Sequence, residues 1–347
     1  MRRKNLIAAR VKKKKLQIKD AKIKKIYTKF RSIIYKKIKR NSFALAVSGG
    51  SDSLCLAYFG KKYTQEFKNK MHVLIVDHKL RTGSNTEALK VIKILNKKGI
   101  KSKILNWKGK IPKKNIQSNA RDMRYTLISN YCLNKNVKYL ITAHHMDDQI
   151  ENFFIRLFRG SGLKGLSSMS ESAIYNSNLK IIRPFLNFKK DELRYVTLSF
   201  FKTYIQDPSN RNEKFLRVRI RKYRKNMEKE GLGTSKIIKT VNNLLLANKA
   251  LNFYKNKALN KYAIFPSKNI CLINKKIFLE EAEEIIFKSF SDILCLISEK
   301  YYPPRSAKIN SLISRAKKSK FNKCTLGGCV IEKKDSFFRI TKESNTR

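Results

Sequence analysis

From residue 41 to about residue 224, short apolar runs alternate with helical patterns. Residues 43–47 are apolar without a break and end at Ser48-Gly49-Gly50. The pattern turns helical over 54–63, and a second apolar run, 72–76, ends at Asp77-His78. Ser84-Asn85-Thr86-Glu87 has the form of a capping box, Ser first and Glu three later, and predicts a helix running to Lys98. Residues 100–105 read as a third strand, 120–132 as helix, 139–143 as a fourth strand and 146–159 as helix. Strands alternating with helices predict βαβ units and an α/β fold with a doubly wound parallel sheet. Ligands of such sheets sit at the carboxyl ends of the strands. Three polar segments fall there: 48–53, 77–80 and 144–151.

Two flanking regions differ. Residues 1–40 hold 18 Lys/Arg against one acid, Asp20, with Ile23, Ile26, Phe30, Ile33, Ile34 and Ile38 at helical spacing. This predicts a basic helical extension able to lie on RNA, on an anionic membrane or on its own domain, the last being the expected case. After Gly231 and Gly233 a helical pattern over 236–259 gives way to short β-like runs at 271–278 and 330–340. The expected division is an extension (1–40), a catalytic domain (41–227) and a smaller C-terminal domain (228–347).

Composition narrows the class. The chain has 347 residues, 42% of them hydrophobic, enough for a substantial core. No run of 18 apolar residues exists to span a membrane, and no secretory signal stands at the start. Six Cys without a CxxC pair read as reduced thiols, which points to the cytoplasm. The formal net charge is +54. A polyanionic partner, nucleic acid above all, is one cause. AT-rich coding, visible in the abundance of Lys, Asn and Ile, accounts for most of the excess, so charge alone names no function.

Ser48-Gly49-Gly50-Ser51-Asp52-Ser53 carries the sharpest chemistry. Glycines let the backbone approach an anion, hydroxyls add donors, and a helix N-terminus follows. No Lys follows the second Gly, so this is not GxxxxGK[ST]. In His144-His145-Met146-Asp147-Asp148-Gln149-Ile150-Glu151, Asp148 and Glu151 are three apart, and Asp147 and Glu151 four apart, so each pair can share a helix face. Such acids can hold Mg²⁺, hold an ammonium or act as base. His145 can bind metal, nucleotide or backbone. Arg121 and Arg124 share a face and can grip a carboxylate or phosphate. Arg217, Arg219 and Arg221 recur with period two, which fans them around a helix in a way that suits a curved phosphate backbone. Cys324 and Cys329 lack a second ligand pair, so no metal site is expected there.

SGGSDS resembles the loop of the pyrophosphate-loop ATP pyrophosphatases, which cleave ATP between the α and β phosphates. Further segments are similar to the tRNA(Ile)-lysidine synthase family within that group. They are Asp77-His78; Ala120-Arg121-Asp122-Met123-Arg124-Tyr125; residues 143–151; Arg159-Gly160-Ser161-Gly162 with Gly165-Leu166; Arg183-Pro184-Phe185-Leu186; Asp207-Pro208-Ser209-Asn210 with the three arginines; and Thr325-Leu326-Gly327-Gly328-Cys329. Asn152 stands where that family usually has Thr. The resemblance implies an adenine nucleotide alpha hydrolase-like fold, with ATP and Mg²⁺ as cofactors. It implies as substrates free L-lysine and the isoleucine tRNA with a CAU anticodon, joined at C2 of the wobble cytidine through an adenylated intermediate. It assigns nucleotide binding to Ser48, Gly49, Gly50, Ser51, Asp52, Ser53, Asp77 and His78. Catalysis falls to Asp52, Asp148, Glu151, Arg121 and Arg124, with Asp148 and Glu151 beside the lysine amine, and tRNA contact to Arg217, Arg219, Arg221 and the C-terminal domain. A homodimer stays open. Two other readings compete. A tRNA 2-thiolase would need a reactive cysteine near the loop, and Cys55 falls in the apolar pattern of its helix. A noncatalytic RNA-binding protein would have little use for a complete loop and acid cluster.

Overall fold

The computed structural model describes residues 17–80, 83–109, 116–176, 178–206, 213, 215–300, 303–318 and 321–343. The motif at 207–210 and the first part of the basic extension, 1–16, lie outside the described residues. The chain forms two compact units, one of Met1–Ser161 with Ser168–Lys239 and one of Gly162–Ser167 with Thr240–Arg347.

The first unit begins with α1 (Ala21–Ile38), whose Asp20 cap accepts from the Ile23 amide at 3.0 Å. Then follow β1 (Phe43–Ala46), α2 (Ser51–Phe67), β2 (Met71–Asp77), α3 (Ser84–Asn96), β3 (Ser102–Asn106), α4 (Ile116–Asn134), β4 (Tyr139–Ile141) and α5 (Met146–Leu157). A short turn of helix, α6 (Leu163–Leu166), belongs to the second unit. The hairpin β5 (Ser172–Asn176) and β6 (Leu179–Ile182) follows, then α7 (Lys190–Phe201) and α8 (Leu216–Lys229). The sheet order is β3-β2-β1-β4-β6-β5, parallel except for the β5 edge.

Strand β1 shows why the runs lack alternation. Phe43 and Leu45 face one core with α1, α2 and α7, while Ala44 faces the other with Tyr125 and Ile128 of α4. A strand covered on both faces has no polar side. The apolar stripe of α1 is itself core. Phe30 is 1% exposed and lies 5.3 Å from the Phe59 ring and 5.5 Å from Phe185. Burying such a ring contributes about 2–3 kcal/mol, so this face is occupied by its own unit and the lysines point outward. Among the described residues no helix is long and apolar enough to cross a membrane.

One local expectation fails. Ser84 is the first helical residue of α3 rather than its cap. Gly83 takes the cap position in a left-handed conformation, and the Thr86 hydroxyl donates to the Gly83 carbonyl at 2.7 Å. The turn is made one residue earlier than the Ser-x-x-Glu spacing implies.

The helix α9 (Thr234–Tyr262) runs into the second unit, which continues with β7 (Ala263–Ser267), β8 (Ile270–Asn274), α10 (Ile277–Glu280), α11 (Glu283–Ser298), α12 (Ser306–Ala316), β9 (Lys323–Leu326), β10 (Cys329–Lys333) and β11 (Phe337–Lys342). Its antiparallel sheet runs β7-β8-β11-β10-β9. Cys271, Ile273, Phe338 and Ile340 point to the same core as Ile286, Phe290 and Ile293 of α11, the period-two pattern of a half-covered sheet. The apolar run at 271–278 is not one strand: it breaks after Asn274, and Ile277 starts α10. Gly327 and Gly328, at φ 69° and 88°, form the two-residue β9–β10 turn, which needs left-handed residues at both positions.

Candidate functional site

The chain moves from β1 outward to β2 and β3, then returns to place β4 on the other side of β1. The crevice of a doubly wound sheet opens at that reversal, beyond the carboxyl ends of β1 and β4. Ser48, Gly49 and Gly50 follow β1, and His144 and His145 follow β4.

The loop is tied by its own last residue. The Ser53 hydroxyl accepts from the amides of Ser48 (3.2 Å) and Gly49 (3.1 Å) and donates to the Gly50 carbonyl (3.0 Å). Ser53 therefore shapes the loop rather than presenting a donor outward. Gly49 sits at φ +88°, and a Cβ there would lie 2.5 Å from Val91 Cγ2. Its carbonyl accepts from the Ile205 amide at 2.9 Å. The Thr197 hydroxyl donates to the Ser51 carbonyl at 2.5 Å, and the Ser51 hydroxyl to Asp52 Oδ1 at 3.1 Å. Asp52 stands in the first turn of α2, where the helix dipole favours a negative charge.

His145 caps α5 and joins the two strand ends. Its Nε2 lies 3.5 Å from Asp52 Oδ2 and 3.5 Å from Asp148 Oδ2. Its Nδ1 accepts the Asp147 amide at 3.2 Å, so the ring proton sits on Nε2, toward the carboxylates. The His145 amide donates in turn to Asp148 Oδ2 at 3.0 Å. Burial pulls the His145 pKa down, but the Asp52 contact and the charge of Asp148 hold it above its ordinary value. Burial pushes Asp148 up, and the charges of His145 and Arg217, with the hydrogen bond from the His145 amide, more than reverse this, leaving it below the usual carboxylate range. Burial takes His144 down to about 3, and its Nδ1 lies 2.9 Å from the Thr142 hydroxyl.

Glu151 is 2% exposed and clamped from α8. Arg221 Nε lies 2.5 Å from Oε1 and Nη2 3.3 Å from Oε2, while Arg217 Nε lies 3.0 Å from Oε2. Both oxygens of this carboxylate are therefore engaged by guanidiniums. Arg217 and Arg221 share a face because they are four apart on α8. Arg219 lies off that face and is exposed, with its Nη1 donating to the Glu213 carbonyl at 3.0 Å. The three arginines thus divide between an acid contact and the surface instead of fanning together.

At the end of β2, Asp77 Oδ1 accepts the Lys79 amide at 2.9 Å. Asp77 Oδ2, His78 Nδ1 and Trp107 Nε1 are buried and have no hydrogen-bond partner among the described residues. Burial, with the charge of Arg124, takes the His78 pKa down to about 4, and Arg124 Nε lies 3.4 Å from His78 Nε2. Arg121 is exposed, its guanidinium 5.1 Å from the Tyr125 ring centre, and its charge acts on His144. The structure thus joins Asp52 to Asp148, Glu151 to Arg217 and Arg221, and His78 to Arg124. Cys55 is fully buried, and burial pushes its thiol well up, so it offers no nucleophile beside the loop.

Two residues escaped the sequence reading. Trp107 has no periodic signal. Arg224 pairs with Asp147 at 2.5 Å; a helical reading of Arg217, Arg221 and Arg224 at spacings of four and three would have found it.

A parallel sheet, a glycine–serine loop at its switch point and facing acids define a pyrophosphate-loop protein, and the PP-loop domain family matches residues 17–226. The chain is 37% identical over 309 residues to tRNA(Ile)-lysidine synthase of Wolbachia pipientis wMel, covering 88% of this chain and 71% of that protein. With the Orientia tsutsugamushi (strain Boryong) tRNA(Ile)-lysidine synthase it shares 33% identity over 309 residues, 86% of this chain and 69% of the relative. The chain belongs to the tRNA(Ile)-lysidine synthase family. A solved structure, the U34-tRNA thiolase NcsA of Methanococcus maripaludis, has the same fold at a TM-score of 0.56 and 21% identity, over 65% of this chain and 80% of that one.

Proposed function

We propose that the chain joins lysine to C2 of the wobble cytidine of the CAU-anticodon isoleucine tRNA, with ATP cleaved to AMP and pyrophosphate. The observation that carries this is the meeting of Asp52, His145 and Asp148 at the switch point of a lysidine-synthase relative.

The α phosphate of ATP lies against Ser48, Gly49, Gly50 and Ser51, at the N-terminus of α2. The cytidine O2 attacks the α phosphorus and pyrophosphate leaves, which makes O2 a good leaving group. Asp77 Oδ2 and His78 Nδ1, buried and without a partner among the described residues, pair with polar groups of the nucleotide. The neutral state of His78 suits it to that role. The lysine ε-amine then attacks C2 and AMP departs. Asp148 Oδ2 carries the contacts to His145, so Oδ1 faces the lysine ammonium, orients it and takes its proton, which leaves the neutral amine to attack. Arg121 and Arg124 meet the lysine carboxylate or the AMP phosphate, and Glu151, held by Arg217 and Arg221, keeps α5 in place. Catalysis is then mostly positioning and charge stabilisation.

The residues fit Mg²⁺ only as a companion of the nucleotide. Among the described residues no cluster of three or more His, Cys, Asp or Glu can hold a metal. Asp52, with its side chain 24% exposed beside the loop, supplies the one carboxylate that Mg²⁺ needs when phosphates provide the rest. Bound there, the ion would offset charge on the departing pyrophosphate.

Arg219 and the second unit hold the tRNA, and the protein works in the cytoplasm. The test is purified protein with CAU-anticodon tRNA, ATP and radiolabelled lysine. Transfer of label to tRNA, with AMP and pyrophosphate formed, supports the reading; label left entirely free would overturn it.

A further inference from the structure

The first turn of α5 gathers negative charge. Asp147 and Asp148 project from it, Glu151 follows in the next turn, and Asp52 approaches from α2. Arg217 and Arg221 both reach Glu151. Asp147 is met by Arg224, whose three nitrogens take three directions. Nη1 donates to Asp147 Oδ1 at 2.5 Å, Nε to Glu228 Oε1 at 3.2 Å and Nη2 to Thr234 Oγ1 at 2.6 Å. The Thr234 hydroxyl also lies 3.3 Å from Glu228 Oε1, which closes a small ring. Thr234 is the first residue of α9, just after the Gly231–Gly233 turn. The Arg224 side chain is 19% exposed and that of Asp147 25%.

We infer that Arg224 is a positioning residue for the reaction: its fork fastens the first turn of α5 to the turn between α8 and α9. It acts through Asp147, whose amide is the donor to His145 Nδ1. A shift of Asp147 therefore turns the His145 ring and moves the contacts that ring makes with Asp52 and Asp148. Arginine is suited because its planar group offers donors in fixed divergent directions, whereas lysine is a point charge that serves one partner at a time. The nearer acids, Asp148 and Asp52, are not touched by Arg224, so any effect on them must pass through the α5 turn.

The inference rests on the proposed reaction, and the experiment separates the two. Wild-type protein is assayed first for transfer of labelled lysine to CAU-anticodon tRNA; failure there counts against the reaction itself. With wild type active, Arg224→Lys, Arg224→Ala, Asp147→Asn and the double variant Arg224→Ala/Asp147→Asn are compared for kcat, lysine KM and thermal midpoint. Arg224→Lys, which keeps the charge and loses the fork, is expected to lower kcat/KM for lysine about tenfold, since small misplacements of reacting groups have effects of this order or larger. Its thermal midpoint stays near wild type, and the double variant is no worse than Arg224→Ala alone, as expected of residues acting in one chain of contacts. Full activity in Arg224→Lys would overturn the inference. So would activity that falls only in step with the fraction unfolded, or single effects that multiply in the double variant.

Discussion

The phosphate loop and the α5–α8 face meet at Asp52 and His145 but are held by different forces. The loop is shaped from within by backbone and hydroxyl bonds among residues at most five apart, from Ser48 to Ser53, and braced from outside by the Ile205 amide and the Thr197 hydroxyl, neutral groups that bond its carbonyls. The face depends on charge pairs between residues 70 and 77 apart, Arg221 with Glu151 and Arg224 with Asp147. A loop whose inner bonds are local fails first when its own conformation is disturbed. A face built from two helices fails when either helix loses its register or one charge loses its partner. The chemistry proposed for this family member needs both, because His145 reaches across from one to the other.

The sharpest break is expected at the shared point. Asp52→Ala should lower tRNA adenylation about a thousandfold, the scale of losing a preorganised charge at a phosphoryl centre, with the thermal midpoint almost unchanged. Unchanged turnover would remove the loop from the reaction. Gly49→Ala attacks the loop from within. It combines a left-handed position with a Cβ 2.5 Å from Val91 Cγ2, and should destabilise the chain by about 2–3 kcal/mol in urea unfolding. A neutral result would mean that the loop backbone relaxes freely.

Glu151→Gln tests the other half. It leaves two arginines facing a neutral amide at a position 2% exposed, and should destabilise by about 2 kcal/mol. An equal fall in activity and stability is expected, since Glu151 is taken as a clamp; loss of turnover in a fully stable variant would return it to the chemistry.

The smallest effect expected is in the pH response. His144 is held neutral by burial with its pKa at about 3, and His78 at about 4. Free histidine titrates near about 6.5, so below that pH the unfolded chain binds protons that the folded chain refuses. Stability should therefore fall as pH drops from about 6.5 toward these values. His145 has the opposite sign: its raised pKa stabilises the fold in acid, and that contribution is lost as pH rises through it. Urea midpoints at pH 7 and pH 5 should show a net loss, and His144→Asn should flatten it. A midpoint that is the same at both values in wild type would contradict the assignment.

Much of this was legible in the residues. The strand–loop–helix context of Ser48-Gly49-Gly50 and the parallel order of the strands follow from apolar runs and turn residues, because both are local consequences of backbone sterics and burial. The acid cluster was legible as a cluster, since residues three and four apart on a helix share a face. Its division of labour was not. Glu151 looks like Asp148 in the sequence, yet one is clamped by Arg217 and Arg221 while the other meets His145. The period-two spacing of Arg217, Arg219 and Arg221 hid the face that includes Arg224.

The sequence by itself determined the elements, the phosphate loop and the class of chemistry, because propensity, periodicity and turn stereochemistry act over a few residues. Only the tertiary structure decided which carboxylate meets a histidine and which is clamped by arginines, and that the Ser53 hydroxyl ties the loop together. Charge pairing and burial depend on what folding brings within a few ångströms, and residues 70 positions apart carry no local sign of meeting.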